Sequence, residues 1–312
     1  MDEPLARRPA GIELRTGNAP SGDLDLHYQD IGDPNDPPVL LIMGLGAQLL
    51  LWRQGFCEKL VAQGLRVIRY DNRDVGLSSK LDGLRSNGSV LPKLARSFVG
   101  KKNAGVYTLE DMADDAAAVL DHLGLDRAHI VGASMGGMIA QVFAARHADR
   151  TAGLAVFFSS NNKPLLPPPT PRALLAVVKS PPTGSPRERI VAEAVKARRV
   201  IGSPMYPAPI ALLRADAEEA FDRCYYPEGV SRQFEAILAS GSLVDYDRQI
   251  TAPTVVIHGL ADRLMRPAGG RAIASAIPNA RLVLFDGMGH ELPAELWDQV
   301  ISELKITFTE GW

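Results

Sequence analysis

Val39-Leu40-Leu41-Ile42-Met43 is an apolar run with no polar residue in it, stopped abruptly by Gly44. A strand with one wet face alternates apolar and polar residues. A continuous run of this length predicts a strand covered on both faces, the habit of parallel sheets. Similar runs recur at Val67–Tyr70, Ala128–Gly132, Leu154–Phe158, Thr254–His258 and Leu282–Phe285, with helical segments between most of them. Strands alternating with helices imply βαβ crossovers, so the expected class is α/β with a doubly wound, mostly parallel sheet. Two further β-like runs, Ile12–Thr16 and Asp25–Ile31, come before it. One crossover helix is legible in detail. Thr108 and Asp111 form a capping-box pattern, Leu109, Met112, Ala113, Ala116, Val119, Leu120 and Leu123 make one apolar face, and Gly124 closes it.

The rhythm breaks after Phe158. Eight of the 23 prolines lie between Pro164 and Pro186, a density that prevents strands and long helices. Ser185-Pro186-Arg187-Glu188 then reads as a helix start with Ser185 as cap and Glu188 closing the box, and helical segments follow to about Ser240. The expected organisation is a core of residues 1–160 and 250–312, with residues 161–249 inserted as a helical cap.

Composition narrows the function. Lys and Arg total 34 and Asp and Glu 36, for a net charge of −2, so the chain lacks the basic excess that phosphate neutralisation requires. A nucleic-acid partner is not expected. Cys57 and Cys224 are too few for a disulfide framework or a thiolate zinc site, which favours a reducing compartment. The stretch Met1–Glu13 has Arg7 and Arg8 but no apolar segment after them, unlike a secretory signal. The most hydrophobic window, Val39–Trp52, is shorter than the roughly 20 residues of a bilayer span. A soluble cytoplasmic protein without a membrane partner is expected; oligomeric state is not legible.

Gly132-Ala133-Ser134-Met135-Gly136 matches the G-x-S-x-G nucleophile elbow, directly after one predicted strand and before a helical stretch. Glycines flank the serine there because strand and helix crowd a strained turn. A serine hydroxyl needs a base. Of His27, His122, His129, His147, His258 and His290, only His290 sits in a glycine-rich loop after a late strand, at the sheet edge where doubly wound folds bind ligands. The acid that fixes the imidazole tautomer is expected at Asp262, four residues beyond the strand ending at His258, in the chain order nucleophile, acid, histidine. Asp286 competes, but a position so close to His290 favours a turn hydrogen bond to backbone. Backbone N–H donors for an oxyanion are expected from Met135 and from Gly44-Leu45-Gly46, with Leu45 the best choice.

These residues resemble those of the α/β-hydrolase superfamily over nearly the whole chain after the first dozen positions. Leu41-Ile42-Met43-Gly44-Leu45-Gly46-Ala47-Gln48 with Trp52, and Tyr70-Asp71-Asn72-Arg73-Asp74-Val75-Gly76-Leu77-Ser78, resemble a bacterial branch that includes aclacinomycin methylesterase-like enzymes. The resemblance implies a capped, cofactor-free hydrolase of carboxylic esters, and no metal site is expected. Its nucleophile, acid and base would fall on Ser134, Asp262 and His290, and its oxyanion donors on Leu45 and Met135. Many relatives carry His-Gly where this chain has Met43-Gly44, and the methylesterase-like branch tolerates Met there. Small to medium esters are the expected substrates.

Other activities of the fold stay open. Asp at the elbow in haloalkane dehalogenases and epoxide hydrolases contrasts with Ser134. Prolyl aminopeptidases, carbon–carbon bond hydrolases and cofactor-free perhydrolases share the serine. Glu218, Glu219 and Asp222 could hold a substrate amine in the first of these, or form a solvated helix face. A non-catalytic ligand receptor is less compatible with a full triad. Nucleotide sites do not fit: Leu49 stands where a dinucleotide fingerprint wants glycine, and Ala95 and Lys102 break a P-loop around Gly100-Lys101.

Overall fold

The structure is a computed structural model that describes residues 12–85, 90–179 and 181–308. Residues 1–11, which hold most of the amino-terminal stretch read above, lie outside it. An antiparallel hairpin comes first, β1 (Leu14–Ser21) and β2 (Leu24–Ile31), turned at Gly22, whose φ is +57°. Then follow β3 (Pro38–Ile42), α1 (Gln54–Val61), β4 (Arg66–Tyr70), α2 (Val90–Phe98), α3 (Leu109–His122), β5 (Ala128–Ala133), α4 (Met135–Arg146) and β6 (Thr151–Phe157). Five helices lie between β6 and the next strand: α5 (Pro171–Val178), α6 (Arg187–Ile201), α7 (Ile210–Arg223), α8 (Pro227–Ser240) and α9 (Val244–Asp247). The chain then returns through β7 (Thr254–Gly259), α10 (Pro267–Ala276), β8 (Arg281–Phe285) and α11 (Trp297–Thr307).

The sheet order is β1-β2-β4-β3-β5-β6-β7-β8, parallel from β4 to β8. The apolar run at β3 is buried on both faces. Leu40 and Ile42 join one core with α3 and α4, whereas Val39 and Leu41 join a second core with α1 and α11. The capping box of α3 forms as two reciprocal bonds: the Asp111 N–H donates to the Thr108 hydroxyl, and the Thr108 N–H to the Asp111 carboxylate (2.7 Å).

Two local readings are corrected. The first strand runs on to Ser21 rather than ending at Thr16; as an edge strand paired only with β2, it tolerates Pro20, whose missing N–H would break a central ladder. Ser185 does not cap α6. Pro186 is the N-cap, without a side-chain bond, and Glu188 pairs with Arg214 across to α7 (2.6 Å) instead of closing a box. The Ser185 N–H is already used in a turn to the Pro182 carbonyl.

Asp247 joins α9 to the core in a way that makes stability depend on pH. Its carboxyl is buried; Asn161 donates to one oxygen (2.7 Å), and the other has no partner. Burial pushes its pKa from 3.8 up to about 7, against the smaller opposing pull of Asn161. Because the fold prefers the protonated form, this contribution is complete below the unfolded value and is lost as pH rises through about 7. Asp247→Asn should therefore exceed the parent in stability at pH 8 by on the order of 2 kcal/mol, with the gap clearly narrower at pH 5. Thermal unfolding at both pH values checks this; an equal gap at both would contradict it.

Candidate active site

The site gathers at the carboxyl ends of β3, β5, β7 and β8. Ser134 occupies the single residue between β5 and α4, at φ +57°, a left-handed conformation that is strained for a side chain. The neighbouring glycines are required by contact. A Cβ on Gly136 would lie 2.1 Å from the Ile42 carbonyl oxygen, and one on Gly132 would lie 2.2 Å from the Gly136 oxygen. The turn is held by the Ser134 N–H donating to the Phe157 carbonyl (2.9 Å) and the Ser159 hydroxyl donating to the Ser134 carbonyl (2.6 Å).

His290 places Nε2 2.9 Å from Ser134 Oγ and Nδ1 2.8 Å from Asp262 Oδ2. The other carboxylate oxygen of Asp262 accepts from the Leu264 (2.8 Å) and Met265 (2.9 Å) amides. Burial raises the Asp262 pKa, but the facing charge of His290 and hydrogen bonds from both neighbouring histidines more than offset it, so the carboxyl sits below its ordinary value. An ionised Asp262 accepts the proton of Nδ1 and leaves Nε2 free to accept from the serine hydroxyl. Asp286 is exposed and accepts from the Gly287 amide (3.1 Å). Loop 286–290 is fixed by the end of α6 and the residues after it: the His290 N–H donates to the Ile201 carbonyl (2.8 Å), and the Gly289 N–H to the Ser203 hydroxyl (2.9 Å).

Leu45 and Met135 line the same cavity as Ser134. Gly44 lies so close that a Cβ there would be 2.9 Å from Ser134 Cβ. The loop after β3 is shaped by the Asn72 amide donating to the Met43 carbonyl (2.8 Å) and by the Gly46 N–H donating to Gln233 on α8 (2.8 Å). Met135 is the first residue of α4, so its N–H belongs to the amides left free at a helix start.

Several residues that shape this site were passed over or read only as family marks. His258, fully buried, donates from Nε2 to the Met265 carbonyl (2.7 Å) and lies 3.5 Å from Asp262, so it supports the turn that carries the acid. Asp71 accepts from the Leu49 and Leu77 amides and pairs with Arg223 of α7 (2.6 Å). Asp74 takes Arg232 of α8 in a two-pronged pair (2.8 and 2.7 Å). The nearest signal is the polar run Asp71–Asp74 immediately after a buried strand.

Two cavities meet at the serine. One, of about 230 Å³, has mostly apolar walls from α5, α8 and the Leu166–Pro169 lead, and among the described residues Lys163 and Arg266 are its only charged lining residues. The other, of about 210 Å³, is lined by His290, Tyr206 and Leu212 and carries Arg53, Arg198, Glu291 and Glu295. Leu45, Ser134, Val177 and Leu264 line both. Glu218, Glu219 and Asp222 line neither. Glu218 and Asp222 pair with Arg187, and Glu218 also with Arg214. Among the described residues no group of three or more His, Cys, Asp or Glu side chains could hold a metal ion, and no helix is long and apolar enough to cross a membrane.

Comparison with known proteins bears on the fold and the family. The chain is 28% identical to rhodomycin D methylesterase DnrP of Streptomyces peucetius, over 87% of this chain and 90% of that protein. It is also 28% identical to 2-hydroxy-6-oxononadienedioate/2-hydroxy-6-oxononatrienedioate hydrolase 1 of Dechloromonas aromatica (strain RCB), over 86% of this chain and 85% of that protein. The crystal structure of the enol-lactonase from Burkholderia xenovorans LB400 superposes with a TM-score of 0.71 at 26% identity, covering 94% of this chain and all of that one. Residues 37–295 match the family described by the alpha/beta hydrolase fold. The eight-stranded sheet, the serine between β5 and α4, and these likenesses agree: this hydrolase belongs to the alpha/beta hydrolase fold family.

Proposed function

We propose that the protein is a serine carboxylic-ester hydrolase working through an acyl-enzyme. The observation that carries the reading is the continuous chain Ser134 Oγ, His290 Nε2, His290 Nδ1, Asp262 at 2.9 and 2.8 Å, with both cavities opening on the serine. His290 takes the Ser134 proton as Oγ attacks the ester carbonyl, and the Leu45 and Met135 amides receive the developing oxyanion. His290 then hands the proton to the departing alcohol. Water, activated by the same nitrogen, cleaves the acyl-Ser134 bond. Asp262 keeps the tautomer and stabilises the charged ring. The likeness to a methylesterase supports an ester as the substrate. The helices between β6 and β7 act as the cap that encloses it.

The proton route also divides the substrate. The leaving oxygen must lie at His290 Nε2, so the alcohol occupies the cavity that His290 lines. The acyl chain takes the larger, more apolar one, which suits acyl groups of small to medium length. An ester panel that varies acyl length and alcohol bulk independently tests both parts. Leu174→Trp should lower kcat/KM for hexanoyl esters about tenfold while sparing acetyl esters, and Leu212→Trp should act on bulky alcohols instead. The reverse pairing would invert the division. A panel with no hydrolysed ester would overturn the function and favour carbon–carbon hydrolysis, the reaction class suggested by the second relative's name.

A further inference from the structure

We propose that the face around the mouth of the larger cavity docks on an anionic lipid surface. Three of the segments that line this cavity, beside α8, are residues 93–102, 160–179 and 263–271. Together they carry ten Lys or Arg and no Asp or Glu, in a chain whose net charge is −2. Lys93 and Lys102 are paired by carboxylates of neighbouring elements, Glu235 and Glu110. The other eight, among them Lys101, Lys163, Arg172, Lys179 and Arg266, form no ion pair among the described residues.

Apolar side chains stand among these cations in the open. Leu165 is 70% exposed and Leu175 59%, and Phe98, Val99 and Val178 are exposed beside them. The patch is continuous. The Leu165 N–H donates to the Phe98 carbonyl (3.2 Å), and the Thr170 N–H to the Arg263 carbonyl (2.9 Å), tying the three segments together. On α5, Arg172, Leu175 and Val178 recur every three residues and share one exposed face, with Lys179 just past the helix end. An apolar stripe bordered by Lys and Arg is the pattern of a helix that lies in a membrane interface.

Charge and position select the occupant. A second copy meeting this face about a two-fold axis would set cations against cations. An acidic protein seated here would close the cavity, because the exposed Phe98, Val178, Lys163 and Arg266 all line its opening. A lipid surface satisfies the charge, buries the apolar side chains and leaves the opening facing a store of amphiphiles.

The test is vesicle co-sedimentation of the full chain, which reads binding and so stands apart from the proposed activity. Phosphatidylcholine vesicles with about one-third phosphatidylglycerol should retain the protein at least about tenfold more strongly than phosphatidylcholine alone, and salt should weaken that retention. The double variant Arg172→Gln, Lys179→Gln should lose roughly tenfold on anionic vesicles with no change on neutral ones. Leu165→Ser with Leu175→Ser should weaken binding to both. None of these four residues lines either cavity, so hydrolysis of p-nitrophenyl butyrate without vesicles should match the parent and show that the variants fold. Equal retention on both vesicle types, parent-like retention of the charge variant, or a dimer in sedimentation that the leucine variant abolishes would each overturn the proposal.

Discussion

Ser134→Ala is expected to lose on the order of 10⁴- to 10⁶-fold in kcat on an activated ester while keeping the parent's thermal unfolding. The loss is large because base and acid have nothing to act on once the hydroxyl is gone. Folding should survive because the strained turn is held through the backbone groups of Ser134, its N–H donating to the Phe157 carbonyl and its carbonyl accepting from the Ser159 hydroxyl, and neither bond involves the Ser134 Oγ. Intact-mass analysis after a fluorophosphonate should show one adduct on the parent and none on the variant. An adduct that persists would place the nucleophile elsewhere.

Asp262→Asn carries the second large effect, about 10⁴-fold in kcat. The Leu264 and Met265 amides both donate to one oxygen of this side chain, so the asparagine would keep its carbonyl there and turn its NH₂ towards His290 Nδ1. The imidazole would then carry its proton on Nε2, facing Ser134, in the tautomer that cannot accept one. Asp286→Asn, on an exposed carboxylate that among the described residues accepts only from the next amide, should change kcat by less than about threefold. The opposite ranking of the two variants would exchange their roles.

The sheet was readable because burial on both faces writes itself into the chain as unbroken apolar runs, as at Val39–Ile42. Where only one face or one neighbour constrains a strand, the signal fades: β1 passes through Gly17, Asn18 and Pro20, and only its pairing with β2 shows it to be a strand. The serine and its elbow were legible because the turn demands small neighbours at fixed spacing. His290 and Asp262 followed from chain order and their loops. The supports of the site were not legible, since each partnership spans a long stretch of chain. Asp74 meets Arg232 158 residues later, and Gly46 meets Gln233 187 residues later, with no local pattern announcing either. His258 was visible as the end of a strand, but its bond to Met265 depends on how the following turn folds back.

The two aspartate–arginine pairs at the loop after β4 separate attachment from selection. Asp71 with Arg223 and Asp74 with Arg232 fasten α7 and α8 through groups absent from the walls of both cavities, whereas α5 and its proline-rich lead supply wall but are held to the core by backbone bonds at Leu165 and Thr170. Removing either arginine would leave a buried carboxylate without its counter-charge, a loss of about 3–5 kcal/mol, so drift at the clamps is strongly opposed. Substitution along α5 meets no such penalty. A lineage can therefore retailor what enters without loosening what holds, and divergence among descendants of this chain should accumulate first at the wall positions Leu166, Leu174 and Val177 and last in the four clamp positions.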